Sequence, residues 1–192
     1  MAVPVPALDD ATGYLPVGRH HCTIEEFRSA FVDGDQFTRT QRRKEIWTHW
    51  ERAKVVLGRL VPVYAAWISG SYVSSKPEPD DMDIVFVIDG PAAERLAADE
   101  PTRAQYLTAF AQGKRFHQPA GRRLDTYLVQ WRPILKPGPT MTDDEVSYYQ
   151  SRGHWDDFWQ RCRAGAKDGP IVVADTIPQR GYLEVKLDDY PR

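Results

Sequence analysis

The chain has 192 residues, a formal net charge of −2 and 42% hydrophobic side chains. That length suits one domain, or one domain with extensions, and the hydrophobic share is enough to bury a core. The near-neutral balance excludes a surface that is basic throughout, and the two cysteines, Cys22 and Cys162, lie too far apart for a zinc motif or a disulfide scaffold.

Residues 1–20 hold three prolines and no periodicity. They read as part of an N-terminal arm over 1–22, ahead of a single domain over 23–192 with its core at about 60–130. The arm lacks the basic-then-apolar pattern of a secretory signal, and no apolar run is long enough to span a bilayer. With so few cysteines, a reducing, cytoplasmic setting without a membrane partner is expected. His20 and His21 are expected on an exposed turn, and none of the five histidines shows metal-ligand spacing beyond that adjacent pair.

Thr23 followed by Glu26 forms a capping box, which predicts a helix to about Val32, ended by the Asp-Gly-Asp at 33–35. A longer helix is predicted over 38–60, where Ile46, Trp47, Trp50, Ala53, Leu57 and Leu60 form one apolar stripe. Arg42, Arg43 and Lys44 at its start read as a solvated basic face. The continuous apolar run at 61–70 predicts a buried strand, and 83–89 a second. Short helices are expected at 91–99 and 102–112, separated by Pro101 and closed by Gly113. A third strand spans 122–131. Thr142 with Glu145 opens a helix over 143–162, in which Trp155, Phe158 and Trp159 are spaced as core residues. "RGYLEVKL" reads as a last strand. The order predicts an α/β (α+β) domain with a small mixed sheet flanked by helices.

Chemistry concentrates in "GSYVSSKPEPDDMDIVFVID", residues 70–89. Crowded carboxylates repel one another, so Asp80, Asp81 and Asp83 at the mouth of a buried strand call for a compensating cation. Strand side chains alternate, so Asp81 and Asp83 share a face while Met82 points away. Asp80 is assigned to the loop. Asp125 interrupts the third strand where an apolar residue would suit the core. If that strand lies beside 83–89, three carboxylates converge, a donor set that suits Mg²⁺ or Mn²⁺. Two such ions about 4 Å apart would clamp an in-line phosphoryl transfer. Gly70 allows close backbone approach to a ligand, Ser71 offers a hydroxyl and an N–H to a phosphate, and Lys76 offers a positive charge. Lys114, Arg115, Arg122 and Arg123 flank the third strand, where one or two of them are candidates to contact a nucleotide or an RNA backbone. Arg180 and Lys186 are weaker candidates of the same kind.

Gly70-Ser71, nine intervening residues and then Asp81-Met82-Asp83 resemble the signature of the nucleotidyltransferase superfold, the DNA polymerase β-like group. The resemblance covers roughly residues 60–130. It implies that Gly70 and Ser71 hold the triphosphate of an incoming NTP, that Asp81 and Asp83 bind metals, and that Asp125 completes the site and helps to activate an acceptor hydroxyl. More loosely, the chain looks like bacterial and phage proteins with a minimal version of this fold. Some of those act as toxins or antitoxins that attach AMP to a protein or nucleotides to tRNA.

The resemblance therefore implies an enzyme that moves a nucleoside monophosphate from an NTP to a hydroxyl of a protein, RNA or small molecule, in a toxin–antitoxin or phage-defence setting. The loop "YVSSKPEP" carries two prolines and no second glycine. That departure supports the other reading, a nucleotidyltransferase fold kept as a binding module, such as an antitoxin, immunity or regulatory subunit.

Overall fold

The computed structural model describes residues 5–163, 165 and 169–191; the first four residues of the expected arm lie outside the described residues. The elements are β1 (Gly18–Cys22), α1 (Ile24–Phe31), α2 (Gln41–Gly58), β2 (Val63–Ser69), β3 (Met82–Asp89), α3 (Gly90–Asp99), α4 (Pro101–Phe110), α5 (Lys114–His117), β4 (Leu124–Trp131), α6 (Asp143–Trp159) and β5 (Gly181–Lys186). The strands form one mixed sheet in the order β1-β5-β2-β3-β4. β1 runs parallel to β5, and β3 parallel to β4; β2 is antiparallel to both of its neighbours. The mixed α+β class is that read from the sequence.

Both capping boxes form. Glu26 N–H donates to Thr23 Oγ1 at 3.1 Å, and Thr23 N–H donates back to the Glu26 carboxylate at 2.7 Å. Thr142 and Glu145 repeat the exchange at the start of α6. Orphan N–H groups of the first turn are thereby satisfied, which fixes where each helix begins.

The sheet is buried on both faces, which is why β2 and β3 read as continuous apolar runs. Ala66, Ile68, Ile84, Phe86 and Ile88 face a core built with Phe27 and Phe31 of α1 and Trp47, Trp50 and Leu57 of α2. Ala65, Trp67, Val85, Val87 and Val129 face a smaller cluster capped by Tyr148 and Trp159 of α6. Burying each large apolar side chain contributes about 1.5–3 kcal/mol before entropy is charged against it.

Four sequence expectations are corrected. His20 and His21 lie in β1 and not on a turn, because Gly18–Cys22 pairs residue by residue with Gly181–Val185. The run "GRHHC" has no apolar alternation; the ladder supplied by β5 makes it a strand. Arg43 is fully buried and not part of a solvated face. Phe158 is 48% exposed and not core; its ring stacks on His154 while Trp159 turns inward. The short helix α5 lies in a stretch with no predicted element.

The segment before β1 lies against the domain. Gly181 N–H donates to the carbonyl of the buried Leu15 at 2.8 Å. Tyr14 bridges Ser74, and Ser75 N–H donates to Gly13 O at 2.8 Å. The arm thus touches the loop that follows Gly70-Ser71.

Candidate functional site

The C-terminal end of β2 meets the N-terminal ends of β3 and β4 at one end of the sheet. In register, Asp83 pairs with Ser69 of β2 on one side and with Asp125 of β4 on the other. The parallel β3–β4 alignment thus sets the two aspartates side by side. Asp81 is two residues before Asp83 and so projects to the same face. One carboxylate oxygen from each of Asp81, Asp83 and Asp125 lies within 4.8 Å of the other two. The structure therefore brings together the three carboxylates that the sequence singled out.

The cluster is partly enclosed. Asp125 is only 14% exposed, and its Oδ1 is buried without a hydrogen-bond partner. Asp83 has its pKa pushed up to about 7, chiefly by burial and then by the neighbouring Asp81 and Asp125 charges, with Lys114 and Arg180 offsetting part of the rise. Burial also raises the Asp125 pKa, while the nearby Tyr127 hydroxyl and then the Lys114 charge pull it down. Tyr127, one step along the same face, is pushed up to about 12 by burial and then by Asp125. Such a group of acids disfavours its own full ionisation unless a cation joins it. The donor set is all oxygen and carries an unpaired buried lone pair, so the residues fit a hard divalent cation.

Gly70 follows β2 directly and opens a 3₁₀ turn over Gly70–Val73. Its φ is +77°, and a Cβ there would fall inside the Asp83 carboxylate. Glycine is needed on both counts. Ser71 follows on the turn, and its carbonyl accepts from Ser74 Oγ at 2.8 Å. Gly113 makes a second close approach: its φ is +63°, and a Cβ there would press on Asp125 Oδ1 at 2.5 Å and Tyr127 Oη at 3.0 Å.

The cations are arranged differently from expectation. Lys76 pairs with Asp80 at 3.0 Å in an exposed contact, and Arg42 approaches Asp80 at 3.6 Å. Lys114, the first residue of α5, donates instead to Asp81, with Asp125 Oδ2 at 3.9 Å. That contact raises the Lys114 pKa. The Arg180 charge also acts on Asp83, while its Nε donates to Trp159 O at 3.3 Å. Arg123 points to Glu45 and to the Asp80 carbonyl.

A residue the sequence reading missed holds the Gly70 loop in place. Arg43 is 0% exposed and donates to four carbonyls: Phe31 O at 3.1 Å, Tyr72 O at 2.7 Å, Ser74 O at 3.0 Å and Lys76 O at 2.6 Å. Tyr72 Oη donates back to Arg43 O at 3.0 Å, and the guanidinium lies over the Phe37 ring at 3.6 Å. Burial lowers the Arg43 pKa to about 10, which leaves it charged at neutral pH. The signal was available: Arg43, Ile46, Trp47 and Trp50 follow the i, i+3, i+4, i+7 spacing of one helix face. For Lys114 the corresponding signal is its position directly after Gly113, the glycine that closes the helix predicted over 102–112, and ahead of the third strand.

No helix among the described residues is long and apolar enough to cross a membrane. The chain belongs to DUF6932, a family of unknown function, whose model matches residues 6–186. No curated protein and no solved structure matches the chain.

Proposed function

We propose that the chain is a metal-dependent nucleotidyltransferase that moves a nucleoside monophosphate from an NTP to a hydroxyl acceptor on a protein, RNA or small molecule. The observation that carries this reading is the convergence of Asp81, Asp83 and Asp125 from adjacent strands, directly beside a glycine that admits no side chain. In this reading Mg²⁺ or Mn²⁺ held by the three carboxylates would neutralise charge on the phosphates. Gly70 and Ser71 border the triphosphate, and the Arg180 charge acts on the same cluster. Asp125, with its unpaired Oδ1, takes the proton of the acceptor hydroxyl. The acceptor oxygen attacks the α-phosphorus in line, a new P–O bond forms, the α–β bridging bond breaks, and pyrophosphate leaves. A cytoplasmic location, and a toxin–antitoxin or phage-defence role, go with this reading.

Incubation with labelled NTPs, Mg²⁺ and host lysate tests it. Wild type transfers label to an acceptor, and an Asp81→Ala, Asp83→Ala double variant does not. Equal labelling by the two proteins would refute transfer by this site.

A second reading, a binding module that kept the fold without catalysis, is favoured by one observation. The loop after Ser71 lacks a second glycine, and its carbonyls are spent on Arg43. Saturable, metal-dependent ATP binding in calorimetry counts against a purely structural role for the carboxylates.

A further inference from the structure

The cation that touches the triad is not the one between the two motifs in sequence. Lys114 donates to Asp81 and stands 3.9 Å from Asp125 Oδ2. Its root is fixed: Gly113 N–H donates to Thr126 O at 2.9 Å, which ties the start of α5 to β4 one residue from Asp125. Its side chain is not fixed, being 49% exposed on a four-carbon stem. A rooted but movable ammonium therefore sits among carboxylates that repel one another.

We propose that Lys114 is the resident cation of the triad: it holds the three carboxylates together until a divalent ion binds, and its ammonium then turns to the phosphates of the nucleotide. The proposal rests on the metal reading of the triad given above. A divalent ion and the ammonium repel each other across so short a distance, so the two exclude one another at Asp81. Once displaced, Lys114 stays within a side-chain length of the triad. The triphosphate brings new negative charge there, and each ammonium–phosphate hydrogen bond is charge-assisted. The same lysine thus weakens the binding of a metal ion alone and strengthens the binding of metal and nucleotide together, which favours arrival of the ion with its nucleotide.

The test is calorimetric titration of the full chain with Mn²⁺ alone, and then with a non-hydrolysable ATP analogue in saturating Mn²⁺. Lys114→Gln is compared with wild type and with Lys54→Gln, which removes the same charge from α2, where that lysine pairs with Glu51. Lys114→Gln is expected to bind Mn²⁺ alone about fivefold more tightly than wild type. It is expected to bind the analogue about tenfold more weakly, whereas Lys54→Gln stays near wild type in both. Unchanged Mn²⁺ affinity in Lys114→Gln, or equal shifts in both variants, overturns the role of Lys114 and leaves the metal reading standing. No Mn²⁺ binding by any of the three proteins overturns both.

Discussion

Arg43 and the aspartate cluster both put charge into the interior, and they treat it in opposite ways. Arg43 is wholly buried, yet four neutral carbonyl oxygens receive its guanidinium and an aromatic ring lies beneath it. The aspartate cluster gathers three like charges around one half-exposed lysine and leaves Asp125 Oδ1 with no partner. The first arrangement spends four of the five guanidinium N–H groups on carbonyls, leaves Nε alone without a partner, and tethers the Gly70 loop. The second leaves like charges that Lys114 only partly offsets. A buried charge matched by hydrogen bonds on nearly all of its donors is held as structure; a cluster of like charges that destabilises itself is the usual mark of a functional site.

The largest expected effect breaks the Arg43 side. Arg43→Leu would strand four carbonyls that the guanidinium now satisfies, so stability should fall by about 4 kcal/mol in denaturant unfolding. Arg43→Lys should recover only part of this, because an ammonium offers three donors and no planar fork. A loss below about 1 kcal/mol would show that the carbonyls find water or other partners.

The opposite sign is expected at the triad. The Asp83 pKa is about 7 in the folded protein and about 3.9 in an unfolded chain. A raised acid pKa contributes stability that is fully present below the unfolded value and is lost as pH rises through the folded one. The metal-free protein should therefore lose on the order of 3 kcal/mol between pH 4 and pH 8 from this group, with Asp125 acting in the same direction. Asp83→Asn should flatten that dependence, raise metal-free stability at pH 8 and abolish Mn²⁺ binding. Melting curves in a chelator at several pH values, set against curves with Mn²⁺, measure both halves. A wild type with equal stability at both pH values would remove the strain ascribed to the cluster.

Gly70→Ala joins the two sites. The new Cβ meets the Asp83 carboxylate in a left-handed backbone conformation, so a loss of about 2 kcal/mol is expected. Metal affinity should fall with it, as read by thermal melting and Mn²⁺ titration of the same preparation. The smallest effect belongs to Lys76→Ala. Its pairing with Asp80 is exposed, so Mn²⁺ affinity should stay at the wild-type value. A clear change there would place Lys76 at the site after all.

The triad was legible in the sequence for a definite reason. Period-two alternation put Asp81 and Asp83 on one face, and Asp125 stood in an apolar run where a hydrophobic residue would have suited the core. The helix starts were legible through Thr23 with Glu26 and Thr142 with Glu145, since capping is local in sequence. What escaped is what long-range pairing decides. β1 has no strand pattern of its own and exists through β5. Arg43 looks like the centre of a basic triplet, and only the carbonyls of Phe31, Tyr72, Ser74 and Lys76 make its burial tolerable. Lys76 is nearer to the aspartates in sequence, but Lys114 reaches them because Gly113 docks on β4.

The most direct test of the metal-holding role is a crystal structure grown with Mn²⁺ and a non-hydrolysable ATP analogue, read by anomalous scattering. The expected result is a Mn²⁺ peak coordinated by Asp81, Asp83 and Asp125, with the Lys114 ammonium moved off Asp81 and onto phosphate. Crystals in which the analogue is absent and the three carboxylates hold Lys114 alone would contradict it.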